Sequence, residues 1–317
     1  SERKFLMEQQ KERRYKGKRL RKRRVVLTIL ILAFLVVGAY FFMQYRSGLE
    51  LASDSKPADP ESFIPDEKDD ETVNYLLLGV DSRGEEQSRT DTMMLVSWQK
   101  KTDEIKLVSF MRDIYAEIPG YQMYRLNTAY FLGGVQLTKE TITSMFDVPI
   151  HHYAIIDFKS FESLIDILAP DGIEIDVEKN MSANIDVSLT QGVQQLNGKE
   201  LLGYARFRMD QEGDFGRVER QQKVIEALKD EVLSIGNAKN LPKLIGAIQG
   251  YVTTDVSSAE QLKTVLTIAM GGGVEISKLT IPATGTYTDK NIPGVGAVLA
   301  IDQEANQQLL QNFLQEN

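Results

Sequence analysis

Aspartate and arginine side chains cluster where two apolar segments of the sequence meet. Asp81 and Arg83 directly follow an apolar run of strand length, and Arg89 and Asp91 stand just before the next one. Ligands of α/β sheets bind beyond the strand ends, so these side chains are predicted to share one site. Two neighbouring carboxylates repel each other unless a cation lies between them. Ligands that offer only oxygen suit Mg²⁺, with Mn²⁺ as the alternative.

Further arginines follow two other segments. Arg112 and Asp113 come just after the apolar run 105–110, and a denser group accompanies the helix predicted at 215–233. Guanidinium groups bind phosphate bidentately, and a helix N-terminus adds free N–H groups and a favourable dipole. The pattern therefore indicates a site for a pyrophosphate with a divalent metal. The alternative is a structural ion-pair network in which the arginines only neutralise nearby aspartates. The candidates in the denser group are Arg206, Arg208, Arg217, Arg220 and Gln221.

The composition excludes several classes of protein. The chain has 317 residues, no cysteine and only two histidines, which are adjacent, at 151 and 152. Disulfides, thiolate nucleophiles and Cys-based zinc sites are therefore absent, and neighbouring residues on a strand make a poor chelating pair. Residues 1–24 carry twelve Lys and Arg against three Glu, so the rest of the chain carries a net charge of −17. Such an acidic domain argues against binding to duplex nucleic acid.

The N-terminal region predicts a membrane anchor. Residues 25–45 contain no charge and are long enough to cross a bilayer. The basic residues 1–24 predict a cytoplasmic tail, and so a single-pass type II protein of the cell membrane with its C-terminal part outside. A cleaved signal peptide is the alternative, but no clear cleavage site follows Tyr45. Residues 46–72 are acidic and contain Pro, Ser and Asp, which predicts an extracellular linker before a domain at 73–317.

Strand and helix patterns alternate through this domain. Strands are predicted at 73–80, 92–98, 105–110, 153–157, 173–177 and 274–281, and helices at 134–146, 161–168, 197–204, 215–233, 259–269 and 303–315. Strands interleaved with helices predict a sheet covered on both faces. A hairpin at residues 100–104 would make two strands antiparallel. The predicted fold is therefore an α/β/α sandwich around a mixed central sheet, preceded by one transmembrane helix.

Several segments resemble one bacterial family. NYLLLGVDSRGEEQSRTDTMMLVS (74–97), SFMRD (109–113) and YARFR followed by GDFGRVERQ (204–208 and 213–221) are similar to the LytR-CpsA-Psr family of cell-wall ligases. The resemblance implies a Mg²⁺-assisted phosphotransferase. Such an enzyme moves an anionic glycopolymer, of teichoic acid or capsular type, from a polyprenyl-pyrophosphate carrier to peptidoglycan. The alternative functions are those of a lipid pyrophosphatase and of a non-catalytic lipid-binding regulator.

The resemblance also implies roles for individual residues. Asp81 and Asp91 would hold the metal, Arg112 would act in catalysis, and Asp81 would also accept the proton of the attacking hydroxyl. Stretches near Phe131 and at 158–168 would line an apolar tunnel for the lipid, and Arg83 is a weaker phosphate ligand. Met111 stands where the family commonly has proline. The pyrophosphate would be held by Arg89, Arg112, Arg206, Arg208, Arg217, Arg220 and Gln221.

Overall fold

The structure, a computed structural model, describes residues 30–52, 61–68, 71–81, 89–102, 104–233, 241–270 and 274–316. Its strands are β1 (Thr72–Val80), β2 (Thr90–Gln99), β3 (Glu104–Phe110), β4 (Tyr115–Glu117), β5 (Met123–Arg125), β6 (His152–Asp157), β7 (Ile173–Val177), β8 (Gly192–Leu196), β9 (Val252–Thr254), β10 (Glu275–Ile281), β11 (Tyr287–Ile292) and β12 (Gly296–Ile301). Its helices are α1 (Leu30–Leu51), α2 (Thr128–Phe146), α3 (Phe158–Leu168), α4 (Gly198–Arg206), α5 (Gly213–Leu233), α6 (Leu241–Tyr251), α7 (Ser258–Met270) and α8 (Gln303–Gln315).

Six strands form the central sheet in the order β10-β3-β2-β1-β6-β9. The strand β1 pairs in parallel with β6, and β3 pairs in parallel with β10. The strand β2 is antiparallel to both β1 and β3, and β9 is antiparallel to β6. The sheet is therefore mixed, and helices flank it, which confirms the predicted fold class. The C-terminal ends of β1, β3 and β6 lie at one edge of the sheet.

The two faces of the sheet are packed differently. On one face, Leu76 and Leu78 of β1 belong to a core that includes Phe146 of α2 and Leu310 of α8. A second core joins α3, α4 and α5 to one another and contains no residue of β1, β2 or β3. Since side chains alternate across a strand, Leu77 of β1 points to this second face. A gap therefore separates the sheet from the helices α3 to α5 in this part of the domain.

The predicted linker differs from the structure at both of its ends. Helix α1 continues to Leu51, and residues 61–68 lie along the domain as an extended segment. The Glu61 carboxylate accepts hydrogen bonds from the Tyr130 hydroxyl at 2.8 Å and the Val135 N–H at 2.6 Å. Acidic and proline-rich composition predicts an unpacked segment, but it does not reveal such contacts with the domain. The predicted cytoplasmic tail and the first residues of the predicted membrane span lie outside the described residues.

The C-terminal part of α1 packs on the domain. Side chains 30–43 are all exposed, whereas Gly48 and Ala52 are buried. A methyl group on Gly246 of α6 would overlap the Tyr45 carbonyl, and one on Gly250 would overlap Ala52, so the two helices approach at backbone distance. Helix α1 as a whole is the one apolar helix in the described chain that is long enough to cross a membrane, as a single-pass anchor would.

Candidate functional site

A cavity of about 510 Å³ occupies the gap between the sheet and helices α3 to α5. Its inner part is apolar and includes Leu77 of β1, Met94 of β2 and Phe161 of α3. Its other end lies at the C-terminal ends of the strands. The charged and amide side chains that line the cavity are Asp91, Asp157, Arg112, Arg206, Arg208, Arg217, Asn184 and Gln221. One cavity therefore combines an apolar interior with a cationic end, which suits an amphiphilic anion.

The strand register explains why the aspartates stand at this edge. Gly79 is opposite Thr92 and Val80 is opposite Thr90, so Asp91 is the extra residue of a β-bulge. Bulges redirect side chains and are common beside binding sites. Asp81 directly follows β1 at the same end of the strand pair. The two predicted metal ligands therefore belong to neighbouring strands at one edge of the sheet.

Arg112 forms the centre of the charged end. Its Nη1 lies 2.5 Å from Asp91 Oδ1, and its Nε lies 3.2 Å from Asp214 Oδ2 and 3.5 Å from Asp113 Oδ2. Burial lowers the pKa of Arg112, but Asp214, Asp91 and Asp113 outweigh burial and leave that pKa raised. The guanidinium is therefore permanently cationic, and the carboxylates fix its orientation.

Asp113 extends this network away from the cavity. Its Oδ1 lies 3.4 Å from the Nε of Arg125, whose Nε also donates to the Ala297 carbonyl at 2.8 Å. Burial raises the pKa of Asp113; Arg112 opposes this shift and Asp214 adds to it, and the net result is a raised pKa. Asp113 therefore connects Arg112 to the hairpin formed by β11 and β12.

Arg217 is a buried arginine of the cavity whose hydrogen-bonding capacity is not fully used. It is 5% exposed, and its Nε has no hydrogen-bond partner among the residues that the structure describes. Its Nη2 lies 3.4 Å from Asp214 Oδ2. Burial, followed by repulsion from Arg112, lowers the pKa of Arg217. A buried cation with an unused N–H group that lines a cavity is suited to bind an anion there.

Two further arginines line the cavity, Arg206 from the last residue of α4 and Arg208 from the segment that joins α4 to α5. The Nη1 of Arg208 lies 3.8 Å from Asp214 Oδ1, and the side chain of Arg208 is half exposed. The guanidinium carbon of Arg206 lies 4.7 Å from the centre of the Phe158 ring, a cation–π contact that holds it above the start of α3. Gln221 lines the same cavity one turn of α5 beyond Arg217.

Arg220 lies elsewhere, although the sequence predicts that it binds the pyrophosphate. Its side chain is 2% exposed, its Nε lies 2.6 Å from Glu178 Oε1, and its Nη1 donates to the Phe207 carbonyl at 3.0 Å. Its Nη2 pairs with Asp210. It is not among the residues that line the cavity. This geometry favours a structural role for Arg220, which fastens α5 to the segment that carries Arg208.

Two other predicted ligands stand beside the cavity rather than in its lining. Asp81 follows β1, and Arg89 precedes β2 with its guanidinium carbon 5.7 Å from the centre of the Phe131 ring. Neither residue is among the described lining residues. The segment 82–88 between them, which includes Arg83, lies outside the described residues. The roles predicted for Asp81 and Arg89 therefore stay predictions.

The carboxylate groups of the aspartates at this edge are the type of ligand that a divalent cation prefers. The described residues contain no cluster of three or more side chains that could ligate a metal. Mg²⁺, however, is commonly held by one or two carboxylates together with phosphate oxygens of the substrate. Asp81 and Asp91 supply two carboxylates on adjacent strands, and Asp91 is about one-third exposed.

Asp214 makes more contacts within this site than the sequence predicts. Its carboxylate contacts three arginines, namely Arg112, Arg208 and Arg217. The sequence places it in the first turn of α5, three residues before Arg217, a spacing at which side chains meet on a helix. That spacing was a usable signal, but the approach of Arg112 depends on the tertiary fold.

The fold and the site together define a class: an α/β domain that follows an apolar N-terminal helix and contains an apolar cavity with an arginine-rich end. Comparison with known proteins agrees. The model of the LytR_cpsA_psr family matches residues 39–313. The chain belongs to the LytR-CpsA-Psr family, as the sequence motifs indicated.

Individual relatives are similar over most of their length. The chain is 42% identical over 279 residues to the regulatory protein MsrR of Staphylococcus aureus (strain COL), covering 88% of this chain and 85% of MsrR. It is 30% identical over 292 residues to the polyisoprenyl-teichoic acid–peptidoglycan teichoic acid transferase TagU of Oceanobacillus iheyensis, covering 88% and 89% of the two chains. The solved structure of TagT bound to LI-WTA matches with a TM-score of 0.62 at 26% identity, covering 81% of this chain and 97% of TagT.

Proposed function

We propose that this protein is a membrane-anchored phosphotransferase that moves an anionic glycopolymer from a polyprenyl-pyrophosphate carrier to peptidoglycan. The observation that carries the proposal is the single cavity with an apolar interior and a cationic end. A polyprenyl pyrophosphate has the complementary shape, since its lipid chain is apolar and its head is a polyanion. The name of TagU and the ligand of TagT, both relatives in the same family, support this choice of donor.

The reaction begins with a sugar hydroxyl of peptidoglycan that attacks the phosphorus next to the glycopolymer. A P–O bond to the acceptor forms, the bond to the bridging pyrophosphate oxygen breaks, and polyprenyl phosphate leaves with the electron pair. Phosphoryl transfer of this kind depends mainly on positioning and on stabilisation of developing negative charge. The product is a phosphodiester, and the proton of the hydroxyl passes to a carboxylate, for which we propose Asp81.

The described side chains have different roles in the proposed transfer reaction. Arg217, with its unused Nε–H, and Arg208, with its half-exposed guanidinium, bind the pyrophosphate oxygens. Arg112 is already oriented by Asp91, Asp113 and Asp214, so it can neutralise charge without reorganising first. Asp81 and Asp91 would hold Mg²⁺, or Mn²⁺, which would supply further positive charge to the phosphate oxygens.

A transfer assay on the full chain tests this proposal. The purified protein in detergent is mixed with a polyprenyl-pyrophosphate-linked glycopolymer carrying a labelled sugar, with and without peptidoglycan. We expect label in insoluble peptidoglycan, equimolar release of polyprenyl phosphate, and loss of both after chelation of divalent cations. Release of glycopolymer phosphate at the same rate without peptidoglycan would instead identify a hydrolase.

The Arg112→Ala variant connects the assay to the site. Loss of a transition-state contact should reduce turnover by at least about tenfold. Lys101→Ala is the control, because Lys101 pairs with Glu71 at the opposite end of the strands and is 70% exposed. Equal turnover in Arg112→Ala and the control would contradict the assignment.

A second candidate function is non-catalytic binding of the same lipid. It is favoured by the relative that is 42% identical, which is named a regulatory protein. The two candidates differ in one result. A regulator binds the lipid donor with measurable affinity in a titration, yet gives no product with peptidoglycan and divalent cation present.

A further inference from the structure

Helix α7 has one side turned toward the domain and the other turned outward. On the inner side, Thr264 hydrogen-bonds to Tyr75 of β1, and the Gln261 side chain donates to the Val256 carbonyl at 3.0 Å. On the outer side, Leu262 and Leu266 are 37% and 41% exposed.

The spacing of these residues shows that the exposed leucines form one face. Successive residues of an α-helix are about 100° apart, so Leu262 and Leu266 lie about 40° from each other. Each is two residues from Thr264, which places it about 200° around the helix from the residue that contacts the domain. Lys263 is exposed on the flank of this face, about 60° around the helix from Leu266. Helix α7 therefore presents two leucines away from the protein, with a cation at one side of them.

The anchor helix sets the height of this face relative to the membrane. The Tyr45 hydroxyl of α1 lies 3.4 Å from Ser258 Oγ, the first residue of α7. Tyr45 follows directly on the exposed apolar stretch 30–43 and Gln44, and it precedes the end of α1 at Leu51 by six residues. At about 1.5 Å per residue, α7 begins about 9 Å closer to the bilayer than the end of the anchor.

Close packing leaves no free linker between anchor and domain at this point. Gly48 contacts the Lys243 carbonyl, Gly246 contacts the Tyr45 carbonyl, and the Tyr251 hydroxyl donates to the Leu51 carbonyl at 2.8 Å. Because α1 is exposed up to Met43 and in contact with α6 from Tyr45 onward, the domain begins directly after the exposed apolar part of the helix.

The direction of β1 relates this face to the cavity. Tyr75, which contacts α7, is near the start of β1, and Val80 is at its end beside the cationic end of the cavity. The apolar part of the cavity, with Leu77, lies between the two. The cationic end is therefore the end farther from α7, and the apolar interior is the part nearer to it.

From these observations we infer that the outward face of α7, with Leu262, Lys263 and Leu266, rests on the outer surface of the same bilayer that α1 crosses. The occupant of this exposed face is the lipid headgroup region. The leucines enter the boundary between headgroups and acyl chains, and Lys263 faces anionic headgroups. The inference depends on the anchor and on α7, and it is independent of the proposed transfer reaction.

Depth-dependent fluorescence quenching tests the inference. The chain has no cysteine, so Leu262→Cys and Leu266→Cys each provide a single labelling site for an environment-sensitive fluorophore. The full chain is reconstituted into vesicles of phosphatidylethanolamine and phosphatidylglycerol that contain a lipid with a nitroxide near the headgroup. The control is Gln308→Cys, which is exposed on α8. This helix lies beside β10, and β10 and β9 are the two outermost strands on opposite sides of the sheet.

A bilayer contact predicts at least about threefold stronger quenching at 262 and 266 than at 308, since interfacial helices bury their apolar face by about 5–10 Å. Equal quenching at the three positions would overturn the inference. Disulfide cross-linking between two chains through position 262 in dilute vesicles would also overturn it, because it would identify a second copy as the occupant.

A double substitution gives a second measurement. Leu262→Glu with Leu266→Glu places two anions on this face, and both positions are solvent-exposed within the protein, so thermal unfolding in detergent should match the unmodified chain. In the vesicles, nitroxide quenching of a label at the exposed Ala259→Cys position of the same helix should fall by at least about twofold. Unchanged quenching at 259 would contradict a role for the leucines in holding α7 on the lipid.

Discussion

Two arginines on one helix, three residues apart, have opposite environments. Arg220 has hydrogen bonds or ion pairs with Glu178, Asp210 and the Phe207 carbonyl. Arg217 is equally buried but has an Nε without a partner in the described chain, and it lies near a second cation, Arg112. Burial lowers the pKa of both groups. For Arg220 the carboxylates outweigh burial and raise the pKa, whereas for Arg217 the net pKa is lowered.

This difference distinguishes a side chain suited to stabilising the fold from one suited to binding a ligand. An ion pair inside a protein is costly to break, because removing one partner leaves the other charge buried. A buried cation that lacks a full set of partners raises the free energy of the empty site, and an anionic ligand can restore those interactions. The two arginines should therefore respond to substitution in opposite ways.

The largest effect is expected on stability, from Arg220→Met. It removes the partner of three carboxylates, those of Glu178, Asp210 and Glu212, and breaking a buried pair costs about 3–5 kcal/mol. Thermal unfolding of the full chain in detergent measures this loss. Lys223→Ala is the control, since Lys223 is 47% exposed and lies 3.7 Å from the same Glu178, and an exposed pair contributes at most about 1 kcal/mol. Equal losses in the two variants would contradict a structural role for Arg220.

The next effect is expected on activity, from Arg217→Met. Losing one oriented donor to the phosphate should lower turnover by about a hundredfold in the transfer assay. The unfolding temperature should stay the same or rise, because the lowered pKa means that burial of this cation costs free energy in the empty protein. If the variant lost stability as well as activity, Arg217 would have a structural role like that of Arg220.

The smallest effect is expected on how the stability that Arg220 contributes to the fold depends on pH. Burial raises the pKa of Asp210, but Arg220 and Lys179 outweigh it and bring the pKa to about 2; the pKa of Glu178 is also lowered. Folded-state pKa values below the unfolded ones mean stability that is present at neutral pH and lost as pH falls from about 4 toward 2. The stability difference between the unmodified chain and Arg220→Met should shrink over that range. A constant difference from pH 6 to pH 2.5 would rule out these carboxylates as the partners that matter.

The parts of the fold that the sequence predicts are those with strong periodicity. The strands at 73–80 and 105–110 and the helix at 303–315 were predicted within one or two residues, because their apolar patterns match their burial. Helix α6 was not predicted. It contains Pro242 and two glycines, residues that weaken a helical pattern, and the glycines are there for contact with α1.

The candidate site was predictable in kind but not in detail. Residue types and strand ends predicted that Asp91, Arg112 and Arg208 would meet, and they share one cavity. The distinction between Arg217 and Arg220 could not be predicted, because both stand in the first turns of α5. Which of the two reaches the cavity depends on Glu178 and Asp210, which approach from other parts of the chain.

If α1 is the membrane anchor, as proposed, its contact with α6 also determines which way the domain faces in the plane of the membrane. The exposed apolar residues 30–43 and the packed residues 45–51 belong to one continuous helix. One residue inserted after Met43 would turn the domain by about 100° about the helix axis and lift it by about 1.5 Å. The rotation of the domain about the helix axis thus depends on the number of residues between the exposed and the packed parts of α1. Any tilt of that helix in the lipid would tilt the domain with it.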